Sequence, residues 1–577
     1  MAVAAFGGKA ESAAGKFKVD VFAGGILGFD ENFNAAFFPG FSAVFFHFGR
    51  VAFAGFAYLE SDVEKLPVFE DVGNDMGKGF CRVTFPKAVR HQFHAVKFNN
   101  ISRVLCEGVC ETLAMGSFKV KSLIQIFLNC VCRRHSVCRQ ETFMILHWET
   151  LLSATRYGHP AILDPNRSNF HRDYDRIVFS TAFRRLGRKT QVHPFSVNDH
   201  VHSRLTHSIE VSSVSRSLAI AVFNQLQKEF PKNFNASLLG TIAQSAALSH
   251  DIGNPPFGHA GEAAIRDWFK RNRDSDPLKE FSDREMLDFE NFDGNAQGVR
   301  ILSKLEYHFL DGGMRLTYPT ISSMMKYPRL ASYGAPTSLF QTEADDYREM
   351  ANVLGIPEIG NGVWMRHPLS YLVEAADDIC YCILDVEDAI ELGILQFADV
   401  RNMFEYLCGP DVDIDKEYNE NGQNFRDFLS SVRGLAIQNL IDAVALVFVQ
   451  HYPEIMDGKL QGTLLELADS DAVNGIRIAK RLGRERIYPD RRKTELEVGS
   501  YTTLCTVLDA FVGGVYEFRK YGRSSYRGAR IVRLIGQSKI GQSVTRLEAY
   551  HQVLDFVSGM TDNYASYLAQ QISGLVQ

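Results

Sequence analysis

Net positive charge is the first thing this sequence lacks. Lysine and arginine number 62 against 68 aspartates and glutamates, a formal charge of −6, so no global basic footprint for nucleic acid is present. No clean apolar run reaches membrane-spanning length. Near the start, Lys9, Glu11, Lys16, Lys18 and Asp20 interrupt the stretch where a signal peptide would need a continuous apolar core. Cysteine is sparse and unevenly placed. Six of the 10 lie before residue 140, where Cys106/Cys110 and Cys130/Cys132/Cys138 match no zinc spacing, and Cys380, Cys382, Cys408 and Cys505 are scattered. The expectation is a cytoplasmic protein with reduced thiols, no disulfide frame and no membrane contact. Internal repeats and the polar–apolar alternation of strands are also lacking.

What is there falls into two unlike parts. Of the 43 phenylalanines, 21 lie in residues 1–143, and the stretch from Phe22 to Phe56 mixes Phe, Ala and Gly without a steady helical or strand period. Met144-Ile145-Leu146-His147-Trp148-Glu149 then opens a segment that reads like ordinary protein. Either residues 1–143 are an unusual accessory domain, or synthesis starts at Met144 and they are an extension. The second reading is preferred, and no function is assigned to them.

From Trp148 onward the period is helical. Ser203–Leu226, Leu238–Ser249, Glu262–Lys270, Val299–Leu310, Leu369–Leu392 and Leu547–Val557 are expected as helices, and the charged residues 271–290 as a loop. Arg184, Arg185, Arg188 and Lys189 form a local basic cluster.

The chain is organised around Leu248-Ser249-His250-Asp251-Ile252-Gly253-Asn254-Pro255-Pro256-Phe257-Gly258-His259-Ala260-Gly261-Glu262. An apolar helix ends in a His-Asp pair, a Gly/Pro turn follows, and a second helix begins with His259 and, three residues on, Glu262. A His-Asp dipeptide alone is commonplace at a helix end. Two imidazoles and two carboxylates in one short segment suit a divalent metal with an acid–base pair beside it. His207 adds an imidazole on the preceding helix. Asp377, Tyr381 and Asp385, spaced i, i+4, i+8, line one face of a later, largely apolar helix. Acids there are costly to bury unless paired or metal-bound. His207, His250-Asp251 and Asp377 together offer two nitrogen and two oxygen ligands from separate helical elements. Without a thiolate, the set suits Mg²⁺ or Mn²⁺, with Fe²⁺ and Co²⁺ also served, and not a structural zinc.

The order His…His-Asp…Asp resembles the HD superfamily of metal-dependent phosphohydrolases. Lys189-Thr190-Gln191-Val192, Arg204-Leu205-Thr206-His207-Ser208, His250 to Glu262, Gly294-Asn295-Ala296-Gln297-Gly298 and Glu374-Ala375-Ala376-Asp377-Asp378-Ile379 resemble the deoxyguanosine triphosphate triphosphohydrolases. The resemblance runs from about residue 147 to 570. It implies an all-α fold, an HD-domain helical bundle at about 200–390 within residues 144–577, with further helices at about 391–577. It also implies hydrolysis of a dNTP, dGTP first, to deoxynucleoside and tripolyphosphate. Carried over residue by residue, it makes His207, His250, Asp251 and Asp377 metal ligands and His259 and Glu262 the catalytic pair. Arg204 and Lys326 then hold phosphate, and Gln191, Tyr381 and Asp385 surround the deoxyribose. The choice of Asp377 over Asp378 comes from that alignment, and the stripe agrees with it. Among Arg484, Arg486, Arg491, Arg492 and Arg530, no match to the family's later phosphate-binding arginines is assigned. A homo-oligomer and a single-stranded DNA effector, at a patch such as Arg184–Lys189, are the implied partners. Two alternatives stay open: another HD phosphohydrolase acting on nucleoside monophosphates or signalling nucleotides, and a nucleotide- or single-stranded-DNA-binding regulatory protein on the same fold.

Overall fold

The computed structural model describes residues 145–575, apart from positions 158, 163, 165, 194, 196–197, 308–311, 537–539 and 541–543. It adds one antiparallel strand pair, Val68–Glu70 with Arg82–Thr84. The chain divides into two units, Met1–Glu141 and Thr142–Gln577. The reading of residues 1–143 as an extension otherwise lies outside the described residues.

The second unit is all-α, as expected, with one short hairpin of Glu358–Gly360 and Val363–Trp364. Nine helices matter for the site: α1 Arg204–Gln225, α2 Ala236–Ser249, α3 Gly258–Arg271, α4 Gly294–Arg300, α5 Pro368–Glu391, α6 Phe425–Gln450, α7 Arg491–Tyr521, α8 Arg546–Ser558 and α9 Asp562–Ile572. Local chemistry fixes their starts. Ser203 and Thr206 form a reciprocal capping box on α1, Asn235 accepts the Leu238 N–H ahead of α2, and Pro368 opens α5, where its missing N–H costs nothing.

Two hydrophobic cores result. The larger gathers Val211, Leu218, Ile242, Leu248, Ile379 and Leu440 from α1, α2, α5 and α6. The second gathers Ile265, Phe269, Leu508, Phe511, Leu554 and Leu568 from α3, α7, α8 and α9. Each such buried side chain is worth roughly 1.5–3 kcal/mol. The packing crosses the 390/391 boundary read from the sequence: Val473, Ile476 and Ile487 belong to the larger core, while α3 joins the later helices. Fully buried Arg300, at the end of α4, ties α8 inward by reaching Glu548 and Asp555 at 2.8 Å each, and Glu343 at 2.9 Å. Just past residue 144, Leu146 and Trp148 are already buried, and the Trp148 indole donates to the Tyr452 hydroxyl at 3.0 Å.

Three expectations need correction. Residues 271–290 are not all loop, because Asp283–Glu290 is helical behind a Ser282–Glu285 capping box whose S-x-x-E signature stands in the sequence. The helix expected from Val299 starts earlier, at Gly294, with the Asp293 side chain accepting the Asn295 N–H, and it loosens into a π turn at Ile301–Leu305. Finally, α6 and α7 are long and apolar enough to cross a membrane by length and composition. Scattered polar residues such as Asn439 and Glu517 hid this from a search for clean apolar runs. Both helices contribute to the cores, through Leu440, Val444 and Phe448 and through Leu508 and Phe511.

Candidate active site

His207 lies one turn into α1 and His250 follows the last residue of α2. They meet Asp377, which α5 carries across from them. Nε2 of His207 is 3.0 Å from the Asp377 Oδ1, and Nε2 of His250 is 3.5 Å from the same oxygen. The three ligand atoms lie within 4.8 Å of one another. Two ligands bound at right or tetrahedral angles to one ion, with bonds of about 2.1 Å, stand about 3.0–3.4 Å apart, so the cluster fits a single divalent ion. The Nδ1 of His250 is 2.6 Å from the Ala247 carbonyl, a contact that presents Nε2 as the ligand. Asp378, next along α5, instead pairs with Lys480 at 2.7 Å. Burial opposes charge on His250, but Asp251 and Asp377 outweigh it and push the imidazole up to about 9. Burial likewise opposes ionisation of Asp377, and the His250 and His207 charges overcome it, holding the carboxyl well below its ordinary range.

Asp251, the fourth ligand of the sequence reading, stands at the edge of this cluster. Its Oδ1 is 3.6 Å from the His250 Nε2 and accepts from the Asn254 amide. Its Oδ2 accepts from Arg204 at 2.6 Å. Arg204 is therefore anchored by a carboxylate at the edge of the cluster, and its buried Nε has no partner among the described residues.

The turn after Asp251 is tightly packed. A Cβ at Gly253 would run into the backbone of Gly294 and Gly298, and one at Gly294 into the Asn254 side chain, which accounts for glycine at positions 253 and 294. Phe257 and Gly258 both take left-handed backbone, at φ 63° and 57°. For phenylalanine this costs on the order of 1–3 kcal/mol and persists only where the surroundings enforce it. The chain then re-enters a helix with His259 in its first turn. The His259 side chain is 91% exposed, with Nδ1 3.2 Å from the Glu262 Oε2. Glu262 is buried, and its other oxygen accepts the Gly294 N–H at 2.7 Å. The hydrogen bond to Glu262 raises the pKa of His259.

The remaining candidates fall in separate places. The Lys326 ammonium is 3.2 Å from Glu374, three residues before Asp377 on α5, and Arg366 holds the other oxygen of Glu374 at 2.8 Å. Despite burial, Glu374 keeps Lys326 charged. Tyr381 stacks on Tyr488 at 6.0 Å between centroids, and Asp385 accepts the Tyr488 hydroxyl at 2.9 Å. Burial pushes Asp385 up to about 8. Gln191 has a buried Oε1 with no partner among the described residues. Tyr488, which follows a π turn at Gly483–Ile487, and Asn254, Lys480 and Arg366 were missed from sequence. Only the position of Asn254 inside the Gly/Pro turn could have signalled it. The Arg184–Lys189 cluster is not a uniform basic patch: Arg184 and Arg188 are exposed, whereas Lys189 is buried and donates to the Asn254 and Ser558 carbonyls.

A helical bundle that brings two histidines and an aspartate together from three helical elements defines a class, and the family model described as the HD domain matches residues 204–337. The chain belongs to the deoxyguanosinetriphosphate triphosphohydrolase-like family of HD-domain proteins. It is 44% identical over 442 residues to the "Deoxyguanosinetriphosphate triphosphohydrolase-like protein" of Pseudomonas aeruginosa, covering 74% of this chain and 99% of that protein. A protein of the same name from Synechocystis is 35% identical over 457 residues, covering 74% and 100%. The "Deoxyguanosinetriphosphate triphosphohydrolase" of Yersinia pestis is 29% identical over 478 residues, covering 69% and 92%.

Proposed function

We propose that the protein hydrolyses deoxynucleoside triphosphates, dGTP foremost, to deoxynucleoside and tripolyphosphate. The observation that carries the reading is the convergence of His207, His250 and Asp377 with the His259–Glu262 pair on the same loop and helix. The names of the relatives support the substrate. With Asp251 completing the set, these residues would hold Mg²⁺ or Mn²⁺, which supplies Lewis acidity at the α-phosphate and orients water. Arg204, anchored on Asp251, and Lys326 neutralise the triphosphate. Attack at the α-phosphorus breaks its bond to the sugar oxygen. His259, its pKa raised by Glu262 and its Nε2 open, donates the proton that the leaving oxygen requires.

The test is an assay of each dNTP with Mn²⁺ or Mg²⁺, products identified by mass, on the full chain and on a chain starting at Met144. Both should release tripolyphosphate at similar rates. The relatives' whole length is matched by about three quarters of this chain, which supports dispensable residues 1–143. Orthophosphate or hydrolysis of monophosphates would indicate a different HD phosphohydrolase, and binding without turnover a regulatory protein. An inactive or insoluble Met144 chain would make residues 1–143 a working part.

Within this reading, the Asp377–Tyr381–Asp385 face of α5 selects deoxyribose. The Tyr381 ring, stacked on Tyr488, fills the space a 2′-hydroxyl would need, and Asp385 bonds the 3′-hydroxyl. Such discrimination is worth roughly 1–3 kcal/mol, or about 5- to 160-fold. Tyr381→Ala should narrow the dGTP/GTP preference by that factor in folded, metal-bound protein. Asp385→Asn should weaken use of dNTP more than of a 3′-deoxy analogue. Unchanged ratios in both variants would leave these side chains as helix packing.

A further inference from the structure

The turn that carries His259 is gripped from outside the HD helices by one short late segment. Asp562, the first residue of α9, is 2% exposed. Its helix is capped by the neighbouring Thr561, which accepts the Tyr564 N–H, so the Asp562 carboxylate is free for other donors. One oxygen accepts the N–H of Phe257 at 3.0 Å, from a residue 305 positions earlier. The other accepts the N–H of Thr190 at 2.9 Å. Lys189, 3% exposed, completes the arrangement. Its ammonium donates to the carbonyl of Asn254 and, at 2.7 Å, to that of Ser558, and its own carbonyl accepts the Arg204 N–H at 3.1 Å.

Buried ions are costly unless bonded, and these two bond to backbone groups, each with one contact at an end of the Asn254–Phe257 turn. They act where the turn is least able to hold itself, beside the left-handed Phe257 and Gly258. Burial pushes Lys189 down to about 7, with Arg185 adding to the fall and Asp562 opposing it.

We propose that Asp562 and Lys189 are positioning residues: a clasp through which the Ser558–Asp562 segment holds the His259 turn in its productive geometry. The proposal rests on His259 being the acid–base group. Neither residue touches substrate in this reading. Asp562 acts through the Phe257 amide, two residues before His259, and Lys189 through Asn254, whose side chain also holds Asp251.

The test uses the full chain with Mn²⁺ and dGTP. Asp562→Ala should keep its metal and its KM while kcat falls about 10- to 100-fold, since displacing a catalytic group by about 1 Å costs up to about 10²-fold. Asp562→Asn, which keeps one acceptor, should lie between it and the parent. Amide exchange in residues 252–259 should quicken in Asp562→Ala, with exchange in α1 unchanged. Should the alanine variant fail to fold, Asp562→Asn and Lys189→Met provide the same comparison. A folded variant with unchanged kcat beside an inactive His259→Ala overturns the clasp, as does a loss that falls on KM or metal content. If His259→Ala itself turns over at the full rate, the acid–base reading has failed. Exchange then decides the clasp: faster exchange at 252–259 keeps it, and unaltered exchange removes it.

Discussion

His250→Ala protein is expected to purify without its metal and to hydrolyse no dNTP, and Asp251→Ala protein likewise. The proposed set of four protein ligands has no spare, and removing one would both open the site and unbalance its charge. The two variants should differ in stability. Losing His250 removes a partner of Asp377. Losing Asp251 also strands the buried Arg204 guanidinium, and an unpaired buried charge costs about 3–5 kcal/mol. Asp251→Ala should therefore unfold at lower temperature than His250→Ala. Metal content by elemental analysis, turnover and thermal unfolding read all three effects. Full activity in either variant would remove that residue from the metal set.

His259→Ala should keep the metal and lose about 10²- to 10⁴-fold in kcat, the usual size for a general acid or base. The side chain is exposed and, among the described residues, bonds Glu262 alone, so its removal leaves the cluster of His207, His250 and Asp377 in place. The pH profile gives a second reading. Glu262 raises the pKa of His259, so the acid form persists above the ordinary imidazole value of about 6.5, and the rate should fall as pH rises through the raised value. Glu262→Gln should move that falling limb to lower pH. Loss of metal from His259→Ala would make His259 a ligand, and an unmoved limb in Glu262→Gln would assign the titration to another group.

Most of the candidate site lies in segments legible from the sequence because its parts are locally encoded. His250 to Glu262 sits within one helix–turn–helix, and a three-residue spacing puts His259 and Glu262 together. The i, i+4, i+8 spacing likewise put Asp377, Tyr381 and Asp385 on one face, where Tyr488 meets the last two. The all-α architecture followed from helical period and from strands that are missing. What escaped notice depends on contacts between distant residues or on chemistry a composition reading blurs. Tyr488 arrives through a π turn, and no period predicts where such a turn aims a side chain. Lys189 counted as surface charge because it follows three arginines, and only the fold shows it enclosed. The Asp283–Glu290 helix was overlooked because its charge resembled a loop, although its capping box was in plain view.

The second core has a consequence for biosynthesis. It joins α3 to α8 and α9, and Arg300 reaches its partners Glu548 and Asp555 only when α8 exists. Chains grow at about 5–20 residues per second. For tens of seconds after α3 leaves the ribosome, Ile265 and Phe269 therefore have no α8 or α9 to cover them. During that interval the nascent chain presents an apolar surface of the kind chaperones bind, and the turn bearing His259 lacks its late support. Translation order thus makes the final helices the step that converts an exposed, sticky intermediate into a finished enzyme, and a ribosome stalled before α8 releases a chain without that cover.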